Sequence, residues 1–318
     1  MTQWQDAQTA AVAEHQATGL DAARIVDALP TATQALLAQL ECVADIDSTN
    51  AELLRRPAPE RGVAVLLADR QSAGRGRAGR VWASPPGANL YLSLSRRFDC
   101  PLAALAPLTL ATGVCVAEAL HALGAHVVRL KWPNDLVVTG TGGGLRKLGG
   151  ILVEAGRDEA VHAEAGRGGA GSRAVIGLGL NLRMPAEAAA GIDQPWCDLS
   201  ELLGERLPPR EAVAAAVIAA LLPALDAWER DGLQAHAAGF AALDALAGRE
   251  VQAMLGTGML VGIAAGIDPN GALRLQLDSG EVRTVHAGEV RVRAGGASLA
   301  DTRTSDASAT GASAKIGP

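Results

Sequence analysis

Apolar positions along the chain follow two rhythms. Short, glycine-broken runs with β character recur at VAVLLAD (63–69), NLYLSLS (89–95), VVRLKW (127–132), LVV (136–138), LGGILVEA (148–155) and AVIGLGLNL (174–182). Each is too short and too rich in Val, Ile, Leu and Tyr for an amphipathic helix, so each predicts a strand. Longer runs with helical spacing separate them. LDAARIVDAL (20–29) predicts a helix ending at Pro30, and TQALLAQL (33–40) predicts a second short one. LAALAPLTLATGVCVAEALHALG (102–124) predicts a long buried helix starting near Pro107. Residues 210–246 predict a helical pair, and five short β runs between 250 and 293, broken by DPNG and DSG turns, predict a small barrel.

The expected fold class is therefore α+β: a mixed β-sheet with helices packed on it, then a small C-terminal β-barrel. The expected boundaries are 20–246 for the larger unit and 247–294 for the smaller. Residues 1–19 lack a convincing core, and 295–318 are low-complexity; both are expected to be poorly ordered. AGRGGAGS (165–172) reads as a flexible insertion, and there is no internal repeat.

Composition narrows the classes of function. With 318 residues, 49% hydrophobic and 19% charged, the chain can bury a sizeable core. A net charge of −6 argues against general nucleic-acid affinity. Cys42, Cys100, Cys115 and Cys197 show no metal-ligand spacing and read as free thiols of a reducing cytoplasm. No signal peptide and no long uncharged apolar span are expected, hence no membrane association. Of 28 basic residues only Lys131, Lys147 and Lys315 are lysines. Where arginine is the default, a lysine marks a place where a compact ammonium serves and a planar fork does not.

Four segments carry candidate chemistry. GRGRAGR (74–80) joins glycines, which let backbone approach a ligand, to arginines, which grip carboxylate or phosphate oxygens. No Gly-Lys-Ser/Thr follows, so it is not a Walker loop. Alone it would equally suit a solvated surface loop, while a single copy without aromatics argues against an RNA-binding segment. KWPND (131–135) reads as a hairpin tip, with Lys131 and Trp132 offering a cation and a stacking face, although an ordinary turn would use the same residues. Lys147 precedes a Gly-Gly pair at a strand start. GLGLNL (177–182) only superficially matches a dinucleotide fingerprint, because it sits within a strand. DSTNAELL (47–54) predicts a capped helix start that could face a polar ligand.

The order DSTN, RQSAGRGRAGRVWASPPGANLYLS, LKWPNDL, KLGGILVE, IGLGLNL and QPWCDL closely resembles the biotin protein ligases, from about Leu20 to Arg293. The resemblance implies a class II synthetase/biotin–lipoate ligase-like fold. It also implies an ATP-dependent enzyme, biotin–[biotin carboxyl carrier protein] ligase, which makes biotinyl-5′-AMP and transfers biotin to one carrier lysine. ATP with Mg²⁺ and biotin are its substrates; no metal site and no tightly bound cofactor are expected. By the same resemblance Ser48, Thr49, Asn50, Gln71, Arg75, Gly76, Arg77, Lys147 and Gly150 bind biotin, with Lys147 and Arg77 catalytic. Arg80, Trp82, Lys131, Asn134, Asp135, Asn181 and Trp196 are the implied ATP and adenylate contacts. The implied partner is the biotin carboxyl carrier domain of acetyl-CoA carboxylase or a related carboxylase, and a homodimer is compatible with the pattern. The chain departs from bifunctional members at its front, where a DNA-binding winged helix is not expected, and DNA binding is not expected with it. A lipoate or octanoate ligase or transferase of similar fold is the rival reading.

Overall fold

The computed structural model describes residues 19–157, 171–255, 258–286 and 289–292. The expectations for 1–18, for 295–318 and for most of 165–172 lie outside the described residues.

The described residues open with α1 (Ala22–Asp27), capped by the Asp21 carboxylate, and the single turn α2 (Thr31–Gln34). β1 (Leu37–Ile46) follows, then α3 (Thr49–Arg55), β2 (Val63–Gln71) and β3 (Leu90–Phe98). Helix α4 (Leu108–Ala122) leads into the strands β4 (Arg129–Lys131), β5 (Asp135–Thr139), β6 (Leu145–Arg157) and β7 (Ser172–Leu180). Two short helices, α5 (Ala186–Ala189) and α6 (Leu199–Leu203), precede the long α7 (Arg210–Asp231) and α8 (Ala237–Leu243). Strands β1 to β7 form one sheet in the order β1-β2-β3-β7-β6-β5-β4; β1 and β2 run parallel and the other pairs antiparallel.

One expectation is corrected here. The second half of TQALLAQL is not helical: α2 stops at Gln34, and Leu37 begins edge strand β1. Its alanines, glutamine and leucines favour a helix locally, but pairing with β2 along Leu37–Ile46 outweighs that preference.

The two faces of the sheet differ. Val65, Leu67, Leu92, Leu94, Ile176 and Leu178 pack into the main core with α4 and α7. Alternate positions face the other way, toward α3, where Leu53, Leu66 and Val175 make a small separate cluster. Further along that face the chain places Ser93, Gly177, Gly179 and Gly150 instead of large apolar groups. A strand that reads Ile-Gly-Leu-Gly-Leu thus fills one side and leaves the other open.

The segments Leu102–Ala122 and Arg210–Leu243 are long and apolar enough, by length and composition, to cross a membrane, contrary to expectation. In this fold Leu110, Val114, Val217 and Leu221 on them are buried in the shared core. Their apolarity is that of helices buried against a sheet.

Past Gly248, β8 (Glu250–Leu255), β9 (Gly258–Ile267), β10 (Leu273–Gln276), β11 (Val282–Val285) and β12 (Glu289–Val292) form an antiparallel sheet in the order β11-β10-β9-β8-β12. Its β9–β10 turn docks on the larger unit. The indole N–H of Trp132 donates to the Gly271 carbonyl at 2.9 Å, and a Cβ on Gly271 would press into Leu110 and Pro107. Trp132 is buried in this junction and also borders the cavity described below.

Candidate active site

A cavity of about 410 Å³ opens on the glycine-bearing face of the sheet. Ser48 caps α3, accepting from the Ala51 N–H at 3.4 Å, which puts Thr49 and Asn50 in the first helical turn against the sheet. All three are buried. Gln71 Oε1 accepts from the Thr49 backbone N–H at 2.9 Å and from its hydroxyl at 3.1 Å, and Gln71 Nε2 donates to Ser84 Oγ at 3.1 Å. Ser93 Oγ lies 2.7 Å from Thr49 Oγ1 and 2.6 Å from Asn50 Oδ1. Donors and acceptors therefore alternate along one buried polar side of the cavity.

The floor exists because of two glycines. A Cβ on Gly177 would overlap the Asn50 amide, and one on Gly179 would overlap the Trp82 indole. Gly150, opposite Gly179 across β6 and β7, completes the floor. The glycine-arginine loop arches above as a miniature hairpin. Gly76 N–H donates to Arg80 O at 2.7 Å, Trp82 N–H to Gly74 O at 2.9 Å, and Arg75 pairs with Val81. Its tip is a single 3₁₀ turn, Arg77–Gly79, with Ala78 in the left-handed region at φ 54°. Arg75, Arg77 and Arg80 all line the cavity. Burial lowers the Arg77 pKa below its ordinary value and Arg80 adds to the effect, while Asp135 opposes it. Anionic oxygens entering there would relieve that burdened charge.

Lys147 sits within β6, its backbone held on both sides. It pairs with Val137 of β5, while its N–H donates to Pro195 O at 2.8 Å and its carbonyl accepts from Cys197 N–H at 2.9 Å. Its ammonium lies 2.7 Å from Asp135 Oδ1 and 5.4 Å from the centre of the Trp82 ring. KWPND is the expected hairpin tip: Lys131 pairs with Asp135 across β4 and β5, around a cis Trp132–Pro133 bond. Lys131 and Asp135 line the cavity. So does Asn134, but its amide is committed elsewhere, donating to Ile151 O at 2.9 Å and accepting from Arg77 Nη1 at 3.2 Å. Asn134 therefore ties the loop to β6.

Of the residues singled out in the sequence, Ser48, Thr49, Asn50, Gln71, Arg75, Gly76, Arg77, Arg80, Trp82, Lys131, Asn134, Asp135, Lys147 and Gly150 all line this one cavity. Asn181 and Trp196 do not. Asn181 is buried, its Nδ2 donating to Cys197 O at 3.0 Å, which staples the 195–199 segment to the end of β7. Trp196 lies alongside Lys147, and its carbonyl accepts from Arg146 Nε at 3.0 Å. Sequence reasoning passed over Ser93, Gln194 and Val290, which do line the cavity. Only Ser93 left a signal, as the polar beat in the alternating LYLSLS. Among the described residues no group of three or more His, Cys, Asp or Glu could cage a metal ion. Asp135 is the one carboxylate among the described residues that line the cavity.

The mixed sheet thus carries Lys147 in a cavity that also holds three loop arginines and a cluster of buried polar side chains. The comparisons give the particular family. Residues 42–168 match the Biotin/lipoate A/B protein ligase family, and residues 247–293 match the Biotin protein ligase C terminal domain. The chain is 39% identical to the bifunctional ligase/repressor BirA of Salmonella typhimurium, over 86% of this chain and 78% of that one. It is 35% identical to the biotin–[acetyl-CoA-carboxylase] ligase of Mycobacterium tuberculosis, over 79% of this chain and 88% of that one. The solved biotin protein ligase from Aquifex aeolicus in complex with biotin and ATP superposes with a TM-score of 0.62 at 26% identity, covering 81% of this chain and 98% of that one. The chain belongs to the biotin protein ligase family.

Proposed function

We propose that this protein activates biotin with ATP as biotinyl-5′-AMP and passes the biotinyl group to one lysine of a carrier domain. The observation that carries this reading is the placement of Lys147. Its ammonium stands in the cavity between the glycine floor and the arginine loop, where a carboxylate and an α-phosphate would meet. Two anions repel, and a fixed cation between them lowers that barrier more than the same charge would in water. Holding them in line contributes as much again.

In the first half-reaction a biotin carboxylate oxygen attacks the α-phosphorus and pyrophosphate leaves. In the second, the carrier lysine's neutral amine attacks the acyl carbon and AMP leaves. Thr49, Asn50, Gln71 and Ser93 would take the ureido head, which needs matched donors and acceptors. Leu152 and the glycine floor would take the apolar ring and chain. Arg77 and Arg80 would hold phosphate oxygens, and Trp82 would roof the acyl group beside Lys147. Mg²⁺ would enter on ATP, with Asp135 as the carboxylate within reach. The four free cysteines suit a reducing cytoplasm as the place of action.

The buried polar side of the cavity favours biotin over lipoate, whose dithiolane ring offers no N–H or C=O to satisfy it. The test incubates the protein with ATP, biotin and a biotin carboxyl carrier domain, and reads the carrier by mass spectrometry. Biotinyl addition at one lysine is expected. Lipoyl addition instead, in the parallel arm, would reverse the choice of acid.

A further inference from the structure

The open face of the sheet ends on a carboxylate that no step above uses. Along β6, Gly150, Leu152 and Glu154 share one face, opposite Gly179, Gly177 and Val175 of β7. Gly150 and Leu152 line the cavity, and Glu154 stands one step further along the same strand face, outside the cavity lining. Glu154 Oε1 is 2.7 Å from Arg75 Nη2, on the first arginine of the loop. Its other oxygen, Oε2, accepts from Asn50 Nδ2 at 3.0 Å. The same Nδ2 also lies 3.2 Å from the Leu152 carbonyl, while Asn50 Oδ1 turns to the Ser93 hydroxyl.

We propose that Glu154 is a positioning residue that latches the glycine-arginine loop over bound biotin and sets the Asn50 amide so that its oxygen faces the ligand. The inference rests on the biotin reading above. Its two halves share one carboxylate. A free asparagine amide can present either end, and two acceptors on β6 with one hydroxyl opposite fix which end is presented. An oxygen held this way has a second lone pair for an N–H, the donor that a cyclic urea carries. On the loop side, Arg75 is half exposed, whereas Asn50 is buried on α3. Lifting the loop would break a charge-assisted bond to Glu154 and leave the Asn50 bond in place. The latch therefore holds the closed form without fixing the loop permanently.

The experiment measures dissociation of labelled biotin from the full chain, without ATP, for the parent, Glu154→Ala, Arg75→Ala, the double alanine variant and the swap Arg75→Glu/Glu154→Arg. Each single change should raise the dissociation rate about tenfold, the scale of one hydrogen bond to a charged group. The double variant should be no worse than the poorer single, and the swap should recover part of the loss, because the two residues act as a pair. Should Glu154→Ala fail to fold, Glu154→Gln, which keeps an acceptor for Asn50, replaces it in the same cycle. Additive losses with no recovery in the swap would overturn the latch while the parent still binds biotin. A parent that does not bind biotin would overturn the functional reading itself, and the latch with it.

Discussion

Lys147 and Asp135 face each other across β6 and β5 with Nζ 2.7 Å from Oδ1, and both side chains are largely shielded from water. The carboxylate partners the lysine, and on the proposed reading a carboxylate and a phosphate would share or displace it. Geometry, not charge alone, therefore decides what residue serves here. Lys147→Arg keeps the charge and removes the compact ammonium. Biotin-dependent pyrophosphate exchange should fall by roughly 10²- to 10³-fold, the cost typical of losing one transition-state contact. The thermal midpoint should stay close to the parent's. Exchange within a few-fold of the parent would remove Lys147 from the chemistry.

Gly179→Ala tests the floor. The added methyl would overlap the Trp82 indole, so the indole must shift. Overpacking of this kind costs about 1–3 kcal/mol. Because Trp82 also roofs the Lys147 ammonium, the loss should appear in biotin affinity more than in folding. Isothermal titration with biotin, beside thermal unfolding, separates the two; unchanged affinity with lowered stability would contradict this role for the indole.

How much of this was legible beforehand follows from where the chemistry lies in the chain. Arg75, Arg77, Lys147, Asn134 and Asp135 were readable because each sits in a short segment whose composition is odd for its surroundings. Strands β2 to β7 were readable because apolar runs between glycines carry their own signal. β1 was not, since Leu37–Ile46 has helix-forming alanines and gains strand character only by pairing with β2. The settings of Trp132 and Trp196 come only from the fold: Trp132 is buried at the junction and borders the cavity, while Trp196, singled out by its QPW context, lies alongside Lys147 outside the cavity lining. Glu154 could not be found at all from the sequence. A glutamate in a strand carries no mark, and its meaning comes from the register that brings it to Asn50 and Arg75 together.

Asp244 makes stability depend on pH in a known direction. Burial raises its carboxyl from the ordinary value to about 6, against the backbone N–H groups that lower it. Its Oδ1 accepts from Leu246 N–H at 2.8 Å, and its Oδ2 is buried without a partner. In the unfolded chain the group ionises near pH 4; in the folded chain it holds its proton until about pH 6. The folded state binds more protons between these values, so its stability falls as pH rises through that window, by roughly 2–3 kcal/mol at most. Asp244→Asn cannot ionise and removes the effect. Relative to the parent, this variant should gain in thermal midpoint on going from pH 4.5 to pH 7.5. A difference that stays constant across that range would show that Asp244 titrates normally.

Arg77→Gly separates making the adenylate from keeping it. Arg77 reaches from the loop tip to Asn134 and lines the cavity, and burial already strains its charge. A bound anion would be its natural partner, so removing the guanidinium should weaken the hold on the adenylate about 10- to 100-fold, the range for losing a charged hydrogen bond. Glycine there also loosens the loop by adding backbone freedom. Lys147 remains, so the first half-reaction should continue. The product is a mixed anhydride, reactive toward any amine once a closed site no longer shields it. Mixed with ATP, biotin and an unrelated lysine-rich protein, the variant should therefore biotinylate the bystander, whereas the parent labels only its carrier. A blot for biotin reads this directly, and the release of labelled adenylate measures the same weakening without any acceptor. Strict carrier-only labelling, with adenylate kept as tightly as in the parent, would mean that the arch over this cavity is not a lid.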